Sequence, residues 1–148
     1  MTLKYWLVGL GLLSMVGCGS TSGQSTQEIT MVTAADLLHH NWQLLSIDGA
    51  PVTADHKLNT PRLEVGEALN SNGYAGCNTY MGKAELNDSQ FRIEQMIMTM
   101  KACSEQSMAT EAAFTNTLNE WSEISIEGDL LIIEGVHKLV LQLDDWKY

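Results

Sequence analysis

Hydrophobic and polar positions alternate along most of the chain's second half, and that two-residue period predicts a protein built chiefly of β-strands. Ile124 and Ile126 alternate with Ser125 and Glu127, Gly128-Asp129 supplies a turn, and Leu130-Leu131-Ile132-Ile133 follows. Leu139, Leu141 and Leu143 then alternate with Val140 and Gln142, which completes an antiparallel meander of short strands and short turns. Upstream, Trp42–Ile47, Arg62–Val65, Tyr74–Leu86 and Phe91–Met100 read as further strands. Asn70-Ser71-Asn72-Gly73 reads as a turn cluster, and residues 52 to 61 as loop. Gly82 interrupts its strand, as a glycine at a bulge or a close backbone approach does. Phe91 and Ile93 fall out of step with Met96, Met98 and Met100 by one residue, which places a β-bulge near Glu94 or Gln95.

Two stretches carry a helical pattern instead. Ala34 to His40 is a short lead-in. Ser104 to Trp121 lacks Gly and Pro, with Phe114, Leu118 and Trp121 forming one apolar stripe and Ala112 and Ala113 small enough for close packing on a sheet. The expected fold is α+β and mainly antiparallel: about seven strands in a small barrel-like curl, with one long helix packed across it.

Residues 1–33 have another character. Lys4 precedes the apolar run Tyr5 to Gly17, thirteen residues long, where a membrane-spanning helix needs about 20. This is the pattern of an export signal. Met15-Val16-Gly17-Cys18 resembles the lipobox of bacterial lipoproteins, with small Gly17 before the cysteine that is lipidated. Residues 1–17 are therefore expected to be removed, and Cys18 to carry acyl chains whose burial holds a protein at a membrane at about 0.8 kcal/mol per methylene. Gly19 stands where Asp commonly signals retention at the inner membrane, so the expected address is the outer membrane, facing the periplasm. Gly19 to Gln27 is small and polar, and residues 18–33 read as a tether reaching roughly 20–25 Å. Residues 34–148 form the expected domain.

Charge and cysteine count sharpen this picture. The chain carries a net charge of −10, and loss of Lys4 with the signal leaves seven basic against eighteen acidic residues. Clustered phosphate contacts, and hence nucleic acid, are disfavoured as partners. Three cysteines are an odd number for an oxidising compartment, but lipidation of Cys18 leaves Cys77 and Cys103 as a pair for a disulfide. The competing reading is a reactive Cys77 beside a base.

Catalytic and metal signatures are sparse. His39-His40 could suggest a metal ligand pair, yet adjacent positions face different ways and no further spacing completes a set. Glu64, Glu67, Glu85 and Glu94 could pair as acid and base, or serve as the wet faces of strands. Met96, Met98 and Met100 fit a core, with an adaptable binding surface as the alternative. Asn78, Thr79 and Thr99 flank the cysteine pair, either bonding backbone or touching a ligand.

At Gly76-Cys77-Asn78 these features meet a known pattern. Gly76-Cys77-Asn78-Thr79-Tyr80-Met81-Gly82, then Met98-Thr99-Met100-Lys101-Ala102-Cys103, then Glu111 with Phe114 and Leu118, resembles the META domain family. The run His39 to Leu44, with Asp48-Gly49 and Pro51-Val52-Thr53, is similar to its HslJ-like branch of heat-inducible bacterial lipoproteins. The resemblance covers roughly residues 35 to 146. It implies a barrel-like antiparallel fold and an association with heat shock or envelope stress, with no established enzyme activity, and no cofactor is expected. The functional expectation is a non-enzymatic lipoprotein that binds an envelope protein, favoured as a monomer. The alternative is a small-molecule or lipid binder that uses a barrel-like cavity.

Overall fold

The structure, a computed structural model, describes residues 31–53 and 60–145. The export signal, Cys18 and most of the tether lie outside the described residues. Nine strands form one antiparallel sheet: β1 (Asn41–Ile47), β2 (Ala50–Pro51), β3 (Arg62–Val65), β4 (Asn70–Tyr74), β5 (Thr79–Asn87), β6 (Gln90–Met98), β7 (Ser122–Glu127), β8 (Leu130–Glu134) and β9 (Lys138–Leu143). Their order is β2-β1-β3-β4-β5-β6-β7-β8-β9, and β1 also pairs with β9. The sheet is thus a ring-like curl. A short helix α1 (Ala34–Leu37) leads into it, and the fifteen-residue α2 (Glu105–Asn119) lies between β6 and β7 in the chain.

The two strands beyond the expected seven have separate causes. β2 is a two-residue return from the Asp48-Gly49 turn, too short to leave a pattern. β4 is the stretch Asn70–Tyr74, whose Asn-Ser-Asn-Gly start reads as a turn but which is paired on both sides, with β3 and β5. Ser71 and Gly73 face the interior there. A Cβ on Gly73 would lie 2.0 Å from the Arg62 carbonyl oxygen and 2.8 Å from the Tyr80 hydroxyl. Glycine serves close approach here and not a turn.

The interior of the curl is filled. Leu37, Leu44, Leu63, Val65, Phe91, Ile93, Phe114, Leu118, Leu131, Ile133, Leu139 and Leu141 are all below 2% exposed. Val32, at the end of the expected tether, also belongs to this core. The β5–β6 ladder slips by one residue between Met81 and Lys83, with Gln95 at φ +53° on the opposing strand, so the bulge lies where the broken alternation places it. Gly82 sits beside it, where a Cβ would meet the Ile93 side chain at 2.5 Å.

β6 and β7 share only two registered pairs, Gln90 with Glu123 and Phe91 with Ser122. Beyond them α2 packs against β6 and inserts Phe114 and Leu118 into the core. Ser104 caps the helix by accepting from the Ser107 backbone N–H at 3.2 Å. Two details of the expected helix differ. Ala112 faces solvent, because Glu111 and Thr115 occupy the inward positions beside it. Trp121 falls past the end of the helix, where its 37% exposed ring takes the Arg92 guanidinium at 4.6 Å.

The seam between β1 and β9 is fastened at both ends by a histidine–aspartate pair. Asp48 accepts from the Lys138 backbone N–H at 2.8 Å and pairs with His137 at 2.7 Å, and both contacts hold its carboxyl below the usual range, the backbone bond foremost. At the other end His40 pairs with Asp145 at 2.6 Å.

Candidate functional site

The loop between β4 and β5, residues 75–78, lies against the first half of α2. Gly76 adopts φ +119°, and a Cβ there would stand 3.3 Å from the Ser107 carbonyl oxygen and 3.4 Å from the Thr110 methyl. Both the conformation and the space select glycine. Cys77 is disulfide-bonded to Cys103, with Cα atoms 5.9 Å apart, so the loop is joined covalently to the residue preceding the helix cap.

Asn78 binds both neighbours. Its backbone N–H donates to Glu111 Oε2 at 2.5 Å, and its Nδ2 donates to Glu111 Oε1 at 3.0 Å. Its Oδ1 accepts from Thr99 Oγ1 at 2.9 Å and from the Lys101 backbone N–H at 2.7 Å. Thr99 in turn accepts from the Thr79 N–H at 3.2 Å. Glu111 is 8% exposed and Asn78 3%, so these bonds satisfy a carboxylate and an amide that have little water to turn to.

Gly76, Cys77, Asn78, Thr99, Cys103 and Glu111, spread over 36 positions of sequence, therefore meet in one clamp. Met98 stands beside it at the end of β6, partly buried against the core. Other candidates lie elsewhere. His39 pairs with Glu67 at 3.1 Å, on a different partner from His40. Glu85 and Glu94 both hold Arg92, at 2.7 and 3.3 Å. Among the described residues, no three His, Cys, Asp or Glu side chains converge on a metal-sized site.

The expected methionine core holds only in part. Met96 and Met98 pack partly on the core, whereas Met100 is 99% exposed, because β6 ends at Met98 and the chain turns toward the bridge. Next to the clamp, the outer face of the sheet carries a groove of about 540 Å³. Met81 and Ile97, paired across β5 and β6, form its apolar wall and are 57% and 64% exposed. Tyr80 and Met98 lie deeper, and Arg62 stands at the β3 side. Burial raises the Tyr80 phenol well above its ordinary pKa, against a smaller opposing pull from Arg62. Its hydroxyl donates to the Arg62 carbonyl oxygen at 3.1 Å. A second hollow of about 330 Å³ continues along the same face, sharing Asn72, Met81 and Ile97.

The groove residues Arg62, Tyr80, Met81 and Ile97 were not distinguishable as a site in the sequence. One signal was available: Met96-Ile97-Met98 is apolar at three successive positions, so in a strand it must present apolar surface on both faces.

Comparison with known proteins agrees with this architecture. Over 123 residues the chain is 30% identical to heat shock protein HslJ of Escherichia coli (strain K12), covering 83% of this chain and 79% of that protein. A protein structure solved by NMR superimposes with a TM-score of 0.69 at 27% identity, covering 80% of this chain and all of the other. A second NMR structure, of a protein from Burkholderia xenovorans, gives 0.60 at 18% identity over 75% of this chain and 86% of its own, and so shares the fold. The META domain model matches residues 35–146, nearly the whole of the described fold, and the chain belongs to the META domain family.

Proposed function

We propose that this protein is a non-enzymatic, lipid-anchored stress protein of the bacterial envelope that binds other proteins through the groove on β3–β6. The heat-shock association follows from its likeness to HslJ. The address, the outer membrane facing the periplasm, rests on the Lys4-to-Cys18 signal pattern and on Gly19.

The observation that carries the binding mode is the contrast between a filled interior and an uncovered apolar groove. A ligand held inside the curl would need an internal cavity, and the centre of the curl is occupied by Phe91, Phe114 and leucines. Met81 and Ile97 instead offer exposed apolar surface, and unbranched methionine adapts to partners of varied shape. The polar residues of the clamp are engaged with one another, which supports a non-catalytic reading.

Photo-crosslinking in cells from position 97, after a heat step, tests this. Protein adducts lost in Met81→Asp are the expected result. Absence of adducts, with a small molecule retained in native mass spectrometry, would replace protein binding by ligand binding.

A further inference from the structure

The geometry points to the kind of segment the groove takes: an extended apolar stretch of polypeptide carrying a carboxylate side chain that seats on Arg62. This rests on the groove being the protein-binding surface and adds the chemistry of its occupant.

Two features specify that chemistry. The groove crosses four adjacent strands, from Arg62 on β3 to Ile97 on β6, a span of roughly 14 Å at about 4.8 Å per strand. That span accommodates about four extended residues at ~3.3 Å each. Its two sides differ. Met81, Ile97 and Met98 make the far side apolar, while among the described residues of the lining Arg62 alone is charged.

Among the described residues Arg62, Lys83 and Lys101 are the basic side chains that form no ion pair, and of these three Arg62 lines the groove. The chain carries 18 acidic residues against eight basic ones, and Arg92, Lys138 and three histidines have carboxylate partners. Arg62 forms no ion pair among the described residues, although it is only partly exposed and its backbone carbonyl accepts from the Tyr80 hydroxyl at 3.1 Å. A guanidinium beside apolar surface interacts more strongly with an incoming carboxylate than one in open water, and its fork geometry favours two parallel hydrogen bonds.

The open shape favours polypeptide over an acyl chain. A bound fatty acid buries most of its surface, which an open groove leaves half wet, whereas an extended peptide needs only alternate side chains covered. The strongly acidic remainder of the protein repels anions generally, so the carboxylate must lie where Arg62 can reach it.

The test measures fluorescence anisotropy with labelled six-residue peptides of leucine, valine and phenylalanine that differ only in one terminal-proximal residue: glutamate, glutamine or lysine. The glutamate peptide is expected to bind at least tenfold more tightly than the glutamine peptide, with the advantage shrinking in 0.5 M salt. Arg62→Glu should transfer the preference to the lysine peptide, and Arg62→Gln should abolish preference while retaining apolar binding. Circular dichroism melts of both variants verify folding. Equal binding of all three peptides, lost in Met81→Asp, overturns the role of Arg62 and leaves the groove as a protein-binding site. No peptide binding, with Arg62-dependent binding of palmitate, overturns both readings.

Discussion

The clamp and the groove share a boundary at Met98, Thr79 and Thr99, yet they use their side chains in opposite ways. In the clamp every polar group is turned inward on another: Asn78 on Glu111, Thr99 on Asn78, Cys77 on Cys103. In the groove apolar groups that could have been buried are left outside. Conspicuous polar motif residues here hold a loop on a helix, and the proposed binding surface joins the motif residues Tyr80, Met81 and Met98 to Arg62 and Ile97, which lie outside the motif. Polar side chains at a site are not themselves a sign of chemistry. What matters is whether their bonding capacity is already filled.

Substitutions can separate the two regions. The largest effect is expected from the bridge. It links positions 26 apart, and loop entropy assigns it about 3 kcal/mol, so Cys77→Ser with Cys103→Ser should lower unfolding stability by that order in urea titration. Next is Glu111→Ala, which strands the Asn78 backbone N–H in a buried site and leaves Nδ2 only its longer bond, 3.4 Å, to the Lys101 carbonyl oxygen. A loss of about 2 kcal/mol is expected, and Asn78→Ala made in the same background should add less than it does alone, because the two side chains act as one unit. A fully additive double mutant would show that the clamp is not a unit. The smallest stability effect is expected from Met81→Asp, within about 0.5 kcal/mol of the parent, since that side chain is mostly in water. A larger loss there would mean that the groove wall supports the fold and would erase the contrast.

Most strands were legible because alternation survives wherever one face is wet and the other packed. The Ile124–Leu143 meander has that form, and so does the slip at Gln95. β4 was not legible, because its pairing partners determine its conformation: Arg62 and Tyr80 crowd Gly73 from strands whose positions only the tertiary fold supplies. Trp121 fitted a helical stripe by spacing alone, but the helix ends at Asn119 and the ring follows Arg92. Family resemblance named Asn78 and Glu111, while nothing local indicated that one would hold the other across 33 positions. Alternation did not show that the Met81 and Ile97 side chains are exposed, because it marks which positions share a face and not which face meets solvent.

The pairing of β1 with β9 has a consequence in time. These are nearly the first and last segments of the fold, paired from Trp42 with Leu143 to Ile47 with Leu139 with one shift of register between Leu44 and Ser46. A nascent or translocating chain cannot complete the ring until β9 has emerged, so closure waits on the last strand and is slow in the manner of distant pairings. Until then β1 and β8 each present an unsatisfied backbone edge, open to any passing strand. A chain cut short before Lys138 would keep those edges permanently, and its characteristic failure would be aggregation.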